Sequence, residues 1–157
     1  MATGRGWPEG IEPGRVATLI ESRRSAANGV VFRVEGSAAI EAAIMHLNER
    51  EVGNGYIFKI VRISLFEDSQ DKENSIEYPS SILALTCIAP AANEFYLGPQ
   101  TMSTMASQIG SARGKAGPNH EYVLKLAENI RALFPEDEDR HLYGLERRVR
   151  DVIRVAA

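Results

Sequence analysis

One carboxylate stands out in the chain by its spacing. Ile40, Ile44, Leu47 and Glu51 fall at i, i+4, i+7 and i+11, a single face of a helix, so Glu51 shares a stripe with three aliphatic side chains. A carboxylate among aliphatic neighbours loses hydration, which raises its pKa toward the range useful for general acid or base chemistry. The neighbours Glu49 and Arg50 are expected to point elsewhere. Immediately after comes Val52-Gly53-Asn54-Gly55-Tyr56, whose glycines permit a sharp reversal into an apolar run. Periodicity leaves a second reading open: the helix stops at Arg50 and Glu51 is a solvated end residue.

Other candidate chemistries have less to stand on. His46, His120 and His141 are far apart with no partner one helical turn away, so no zinc ligand set is expected. Gly114-Lys115-Ala116-Gly117 precedes a helix, but Lys115 is not followed by Ser or Thr, and the segment before it reads as helix where a phosphate loop needs a strand. No serine sits in a nucleophile elbow. Cys87 is the single cysteine and has no histidine patterned near it, which favours packing over nucleophilic catalysis.

The elements that must carry Glu51 follow from the chain in order. Met1 to Gly14, rich in glycine with two prolines, reads as an irregular lead-in. Arg15 to Ile20 reads as a short strand, and the alternation of Val30, Phe32 and Val34 with Val31, Arg33 and Glu35 as a half-buried partner for it. Ser37 is the expected N-cap of a helix from Ala38 to about Glu51. Tyr56 to Phe66 and Ser81 to Ala89 read as strands covered on both faces, joined through a polar loop at Glu67 to Ser75. Three helices follow. The first has Thr101 as cap and Met102, Met105, Ala106 and Ile109 as its apolar stripe. The second has Asn119 as cap and Val123, Leu126, Ala127, Ile130 and Phe134 on one side. The acidic turn Pro135 to Asp139 leads into the last, whose Leu142, Leu145, Val149, Val152 and Ile153 face inward while its arginines, with Glu146 and Asp151, form a solvated face. Strands followed by helices, with connections too short for crossovers, give an α+β fold in one domain over residues 1–157.

Composition narrows the partners. At 157 residues the chain can bury a core without disulfides or metal. Its net charge of −3 gives no global attraction to nucleic acid or an anionic membrane, and no apolar run is long enough to span a bilayer. A lone thiol and the lack of a charged-apolar-small leader make a reducing, cytoplasmic location the expectation.

The segment around Glu51 also carries a resemblance. Arg50-Glu51 with Gly53, Gly55 and Tyr56 resembles the Arg-Glu-x-Gly-Gly-Tyr signature of the ChaC-like family, the glutathione-specific γ-glutamylcyclotransferases. Further segments are similar in the same order: Pro13-Gly14-Arg15-Val16 with Thr18-Leu19; Gly29 to Arg33; Tyr96-Leu97-Gly98-Pro99; Gln108-Ile109, Ala112, Gly114 and Gly117; Asn119-x-Glu121-Tyr122 with Leu126-Ala127; and His141-Leu142-x-x-Leu145-Glu146. The resemblance implies a γ-glutamylcyclotransferase-like fold, a small mixed β-barrel with flanking helices, and a lyase that releases 5-oxoproline and cysteinylglycine from glutathione. Glu51 matches the family's catalytic acid/base. Tyr96 and Tyr122 are candidate substrate contacts. Because the substrate's own α-amine attacks its γ-amide, nucleophile and electrophile share one molecule, so neither cofactor nor metal is implied.

Two departures bear on these expectations. The turn Val52 to Gly55 is one residue longer than the signature. The family's Tyr-Gly-Ser-Leu turn, which holds the γ-glutamyl group and follows the first barrel strand, has no counterpart here, so the first strand is expected to be missing. The alternative reading is accordingly a shortened, non-catalytic relative acting as a binding or regulatory module.

Overall fold

The computed structural model describes residues 13–20, 22, 25–65, 80–114 and 117–156. These residues group into two compact units, one from 13–18, 22–28 and 94–156 and one from 19–21 and 29–93.

The second unit holds helix α1 (Ser37–Glu51), a 3-10 turn (Val52–Asn54), and strands β1 (Ile57–Ser64) and β2 (Ser81–Ile88). Helix α1 starts one residue earlier than expected. Gly36, at φ 88°, is its N-cap, so Ser37 is the first helical residue and caps nothing. Its half-buried positions, Ala43, Leu47 and Glu51, stand four residues apart, whereas Ile40 and Ile44 are exposed. The buried stripe is thus shorter than the sequence pattern, yet it includes Glu51. Strands β1 and β2 pair antiparallel from Ile57 opposite Ile88 to Ser64 opposite Ser81.

Several strand expectations are corrected. Residues 15–20 and 30–34 form no strand, because a short apolar run becomes a strand only with a neighbour to complete its ladder. The β1–β2 pair is not covered on both faces: Ile60, opposite Leu85, is 67% exposed and Leu83, opposite Arg62, is 64% exposed. A second layer over that face is lacking among the described residues. They likewise form no closed barrel, only β1–β2 and the minimal pair β3 (Arg113–Gly114) and β4 (Gly117–Pro118). The α+β class stands. The expected polar loop at Glu67 to Ser75 lies outside the described residues.

The first unit is helical, with α2 (Met102–Ser111), α3 (Asn119–Leu133) and α4 (Arg140–Ala156). Thr101 caps α2 as its type predicts: its Oγ1 accepts from the Thr104 amide at 3.2 Å. Asp139 does the same for α4, accepting from the Leu142 amide at 2.8 Å. Met105, Ala106, Ile109, Val123, Leu145 and Val149 make the core, with Met102 and Val152 against it. Two glycines set the approach of α2 to α4. A Cβ on Gly110 would stand 2.5 Å from Val152 Cγ1, and one on Gly144 would stand 3.2 Å from Met102 Sδ.

Asn119 does not cap α3. Pro118 holds the N-cap position, and the Asn119 side chain instead pairs with the Arg15 backbone like a borrowed peptide group. Its Oδ1 accepts from Arg15 N at 2.7 Å, and its Nδ2 donates to Arg15 O at 2.9 Å. The Arg15 guanidinium donates to Gln108 Oε1 at 2.7 Å and Gly98 O at 3.3 Å. Burial lowers its pKa from the ordinary arginine value.

The last helix departs from the sequence reading at one residue. Glu146, expected on a solvated face, is buried with its side chain 6% exposed. Arg131 NH1 donates to Oε1 at 3.3 Å and Arg131 NH2 to Oε2. Arg150 adds Nε at 3.2 Å and NH2 at 2.9 Å to Oε1. These hydrogen bonds, the Arg131 pair first, hold the Glu146 carboxyl below its usual pKa against the opposing pull of burial.

Candidate active site

Glu51 ends α1, and the geometry of that ending decides what surrounds it. The residue has φ −103° and ψ −44°, off the ideal helix, and the chain tightens at once into the Val52–Asn54 3-10 turn. Gly55, at φ 76°, closes the turn with its amide on Val52 O at 2.9 Å, and the Tyr56 amide reaches Glu51 O at 3.1 Å. Asn54 Nδ2 donates to Arg50 O at 2.7 Å, and Asn93 Nδ2 to Asn54 O at 3.2 Å. The backbone on both sides of Glu51 is therefore tied down, and β1 begins two residues after Gly55.

The Glu51 side chain is 17% exposed, against 67% for Arg50. Arg50 was expected to point away, but its Nε donates to Glu51 Oε1 at 2.6 Å. The distorted last turn swings the two side chains together. The pairing anchors one carboxylate oxygen, Oε1, and does not engage Oε2.

Cys87, opposite Phe58 on β2, lies within the field of this pair. Burial pushes its thiol up from the ordinary value; the Glu51 carboxylate adds to that and Arg50 opposes it. A thiol so placed stays protonated, which agrees with a packing role.

The other expected site residues belong to the first unit. Tyr96 is half-buried in the segment before α2. Tyr122 lies in the first turn of α3, and its hydroxyl accepts from the Ala17 amide at 3.1 Å. Among the described residues no three His, Cys, Asp or Glu side chains are grouped to hold a metal ion. No helix described is long and apolar enough to cross a membrane.

The order of motifs seen in the sequence extends across both units. The family profile described as ChaC-like protein matches residues 1–152. The chain belongs to this family. It is 38% identical over 135 residues to the glutathione-specific γ-glutamylcyclotransferase 1 of Danio rerio, covering 85% of this chain and 64% of that one. It is 36% identical over 134 residues to the Homo sapiens protein of the same name, covering 85% and 56%. Among solved structures it is similar to the selenomethionine-labelled γ-glutamyl cyclotransferase specific to glutathione from yeast. That similarity has a TM-score of 0.58 and 28% identity over 73% of this chain and 54% of that one. The chain therefore spans less than two thirds of the length of these ChaC-like relatives.

Glu146 and Asn119, like Ser37, take structural positions other than those the sequence implies. A signal existed for Glu146: it stands at i+4 from Leu142 and one residue after Leu145, inside the stripe that Val149 continues. Asn119 carried no such signal, since its partner is more than a hundred residues away in sequence.

Proposed function

We propose that this ChaC-like chain provides the acid/base of a γ-glutamylcyclotransferase acting on glutathione in the cytoplasm. The α-amine attacks the γ-amide carbon, the bond to the cysteine nitrogen breaks, and 5-oxoproline and cysteinylglycine leave. Glu51 accepts a proton from the α-ammonium, freeing the lone pair for attack. It then returns that proton to the departing cysteine nitrogen; the second proton, which the ring nitrogen sheds as it becomes the lactam amide, passes through solvent to the freed amine, so the carboxylate is regenerated and no net proton is consumed within the cycle.

The observation that carries this reading is the Glu51 side chain, largely withdrawn from water and anchored through one oxygen by Arg50. Two constraints on that side chain, a tied backbone and a tethered carboxylate, suit a group that must serve twice without reorienting. The substrate assignment is supported by relatives named for glutathione. The cytoplasmic assignment is supported by the single cysteine, Cys87, which can form no internal disulfide. Tyr96 and Tyr122 stand as candidate contacts for the γ-glutamyl compound. Residues 1–157 are read as one evolutionary domain, since the family match runs through both units.

The experiment is direct. The chain is incubated with glutathione and 5-oxoproline is measured by chromatography, beside Glu51→Gln, which keeps the shape and removes the titrating group. Release by the parent chain and none by the variant is expected. Undiminished release by Glu51→Gln would remove Glu51 from the mechanism, and no release by a folded parent chain would remove the activity.

A further inference from the structure

A cluster of arginines in the first unit gathers away from the residues assigned to the reaction. Arg131 of α3 and Tyr143, Glu146, Arg147 and Arg150 of α4 line a shallow, broadly open hollow of about 430 Å³. Three guanidiniums face it against one carboxylate. Glu146 is buried beneath and is saturated by Arg131 and Arg150, so it offers little repulsion to a second anion. Arg131 is further fixed by stacking over the Tyr143 ring, its Cζ 4.3 Å from the ring centre.

Two groups there lack the partner their chemistry calls for. Arg147 is exposed and makes no ion pair among the described residues. The Tyr143 hydroxyl is shielded from solvent and has no hydrogen-bond partner among the described residues. Guanidiniums held rigid by a buried acid keep their outer N–H groups in a fixed fork, the arrangement that recognises phosphate oxygens.

We propose that this hollow is a binding site for a compact, multiply charged oxyanion, the phosphate or pyrophosphate group of a small phosphorylated molecule. Arg147 is its free cation. Arg131 and Arg150 supply pre-set N–H donors, and Glu146 acts as the positioning residue that orients them. The site belongs to the α3–α4 pair and is independent of the Glu51 reading.

The test titrates pyrophosphate into the full chain at low salt, about 50 mM, where screening is modest. Binding is followed by calorimetry and by the arginine Nε signals in NMR. Arg147→Ala is compared with Arg148→Ala, an equal loss of charge at an exposed neighbour that reaches instead toward Ser103 Oγ at 3.4 Å. The expected result is saturable binding weakened about tenfold or more by Arg147→Ala and less than about twofold by Arg148→Ala. Equal weakening by both would mean diffuse electrostatic attraction and would overturn the site, as would no saturation by about 10 mM pyrophosphate. Should Arg147→Ala fail to fold, the parent chain decides: shifts confined to the Arg131, Arg147 and Arg150 signals support the site, and shifts spread over all arginines reject it.

Discussion

Arg50 Nε and Glu51 Oε1 stand 2.6 Å apart although the two residues are consecutive, positions that do not face each other on a regular helix. Successive side chains on a helix diverge by about 100°, and the departure of Glu51 from ideal helical angles, at φ −103°, goes with their meeting. On the proposed function the anchor should have a kinetic consequence. Arg50→Ala leaves the carboxylate in place but unrestrained, and loss of positioning should lower 5-oxoproline release about tenfold, or about 1.4 kcal/mol in the barrier. Glu51→Gln should remove release entirely. If Arg50→Ala matches the parent rate, the ion pair is not a positioning device.

The turn that ends α1 separates two glycines that look alike in sequence. Gly55 is left-handed, and a Cβ there would meet the Asn93 amide at 2.8 Å. Gly53 has ordinary φ and open space around it. Gly55→Ala should therefore destabilise by about 2 kcal/mol from strain and crowding together. Gly53→Ala should be neutral within about 0.5 kcal/mol or slightly stabilising through reduced unfolded-state entropy. Urea denaturation of both variants checks the contrast.

That contrast marks how far the sequence could be read. The glycine turn, the helix before it and the inward placement of Glu51 beside Leu47 were legible, because each depends on residues close in the chain. The Arg50 contact was not, because it depends on a departure from helical geometry that periodicity assumes away. Val30, Phe32 and Val34 alternate as a strand should, yet alternation describes only one partner of a ladder and the described residues supply no second. Glu146 was misread for a different reason. Charge composition suggested solvent, whereas its place in the Leu142, Leu145, Val149 stripe set its direction, and two arginines made burial tolerable.

Gly110 leaves no room for a Cβ between α2 and α4, and two opposing effects can be weighed there. Alanine gains about 1 kcal/mol over glycine in helix propensity, but its Cβ would fall 2.5 Å from Val152 Cγ1. Overpacking of that kind costs about 1–3 kcal/mol, so Gly110→Ala should be destabilising on balance. Val152→Ala removes the clashing methyl at the loss of some core contact. In the double variant the helix gain survives without the clash, so the pair should be more stable than the two single changes predict by about 1 kcal/mol or more. Additive losses in thermal melts would mean that the helices have room to move apart.

Glu146 gives the chain an acid-sensitive point whose sign can be worked out. Its folded pKa lies below the ordinary carboxylate value, chiefly through the Arg131 hydrogen bonds. The unfolded chain therefore binds a proton first as pH falls, and the contribution of Glu146 is fully present above its unfolded pKa, about 4.3, and lost as pH drops through the lower folded value. Both arginines are about half in solvent, which screens the pair, so about 1 kcal/mol is the appropriate scale, or about 2–4 °C in melting temperature for a chain of this size. Glu146→Gln should be less stable than the parent at neutral pH, and the gap should narrow as pH falls below about 4, because the parent then loses the same charge. Melting curves for both proteins between about pH 3 and 7 test this. A gap that stays constant across the range would show that Glu146 acts through shape and not through its charge.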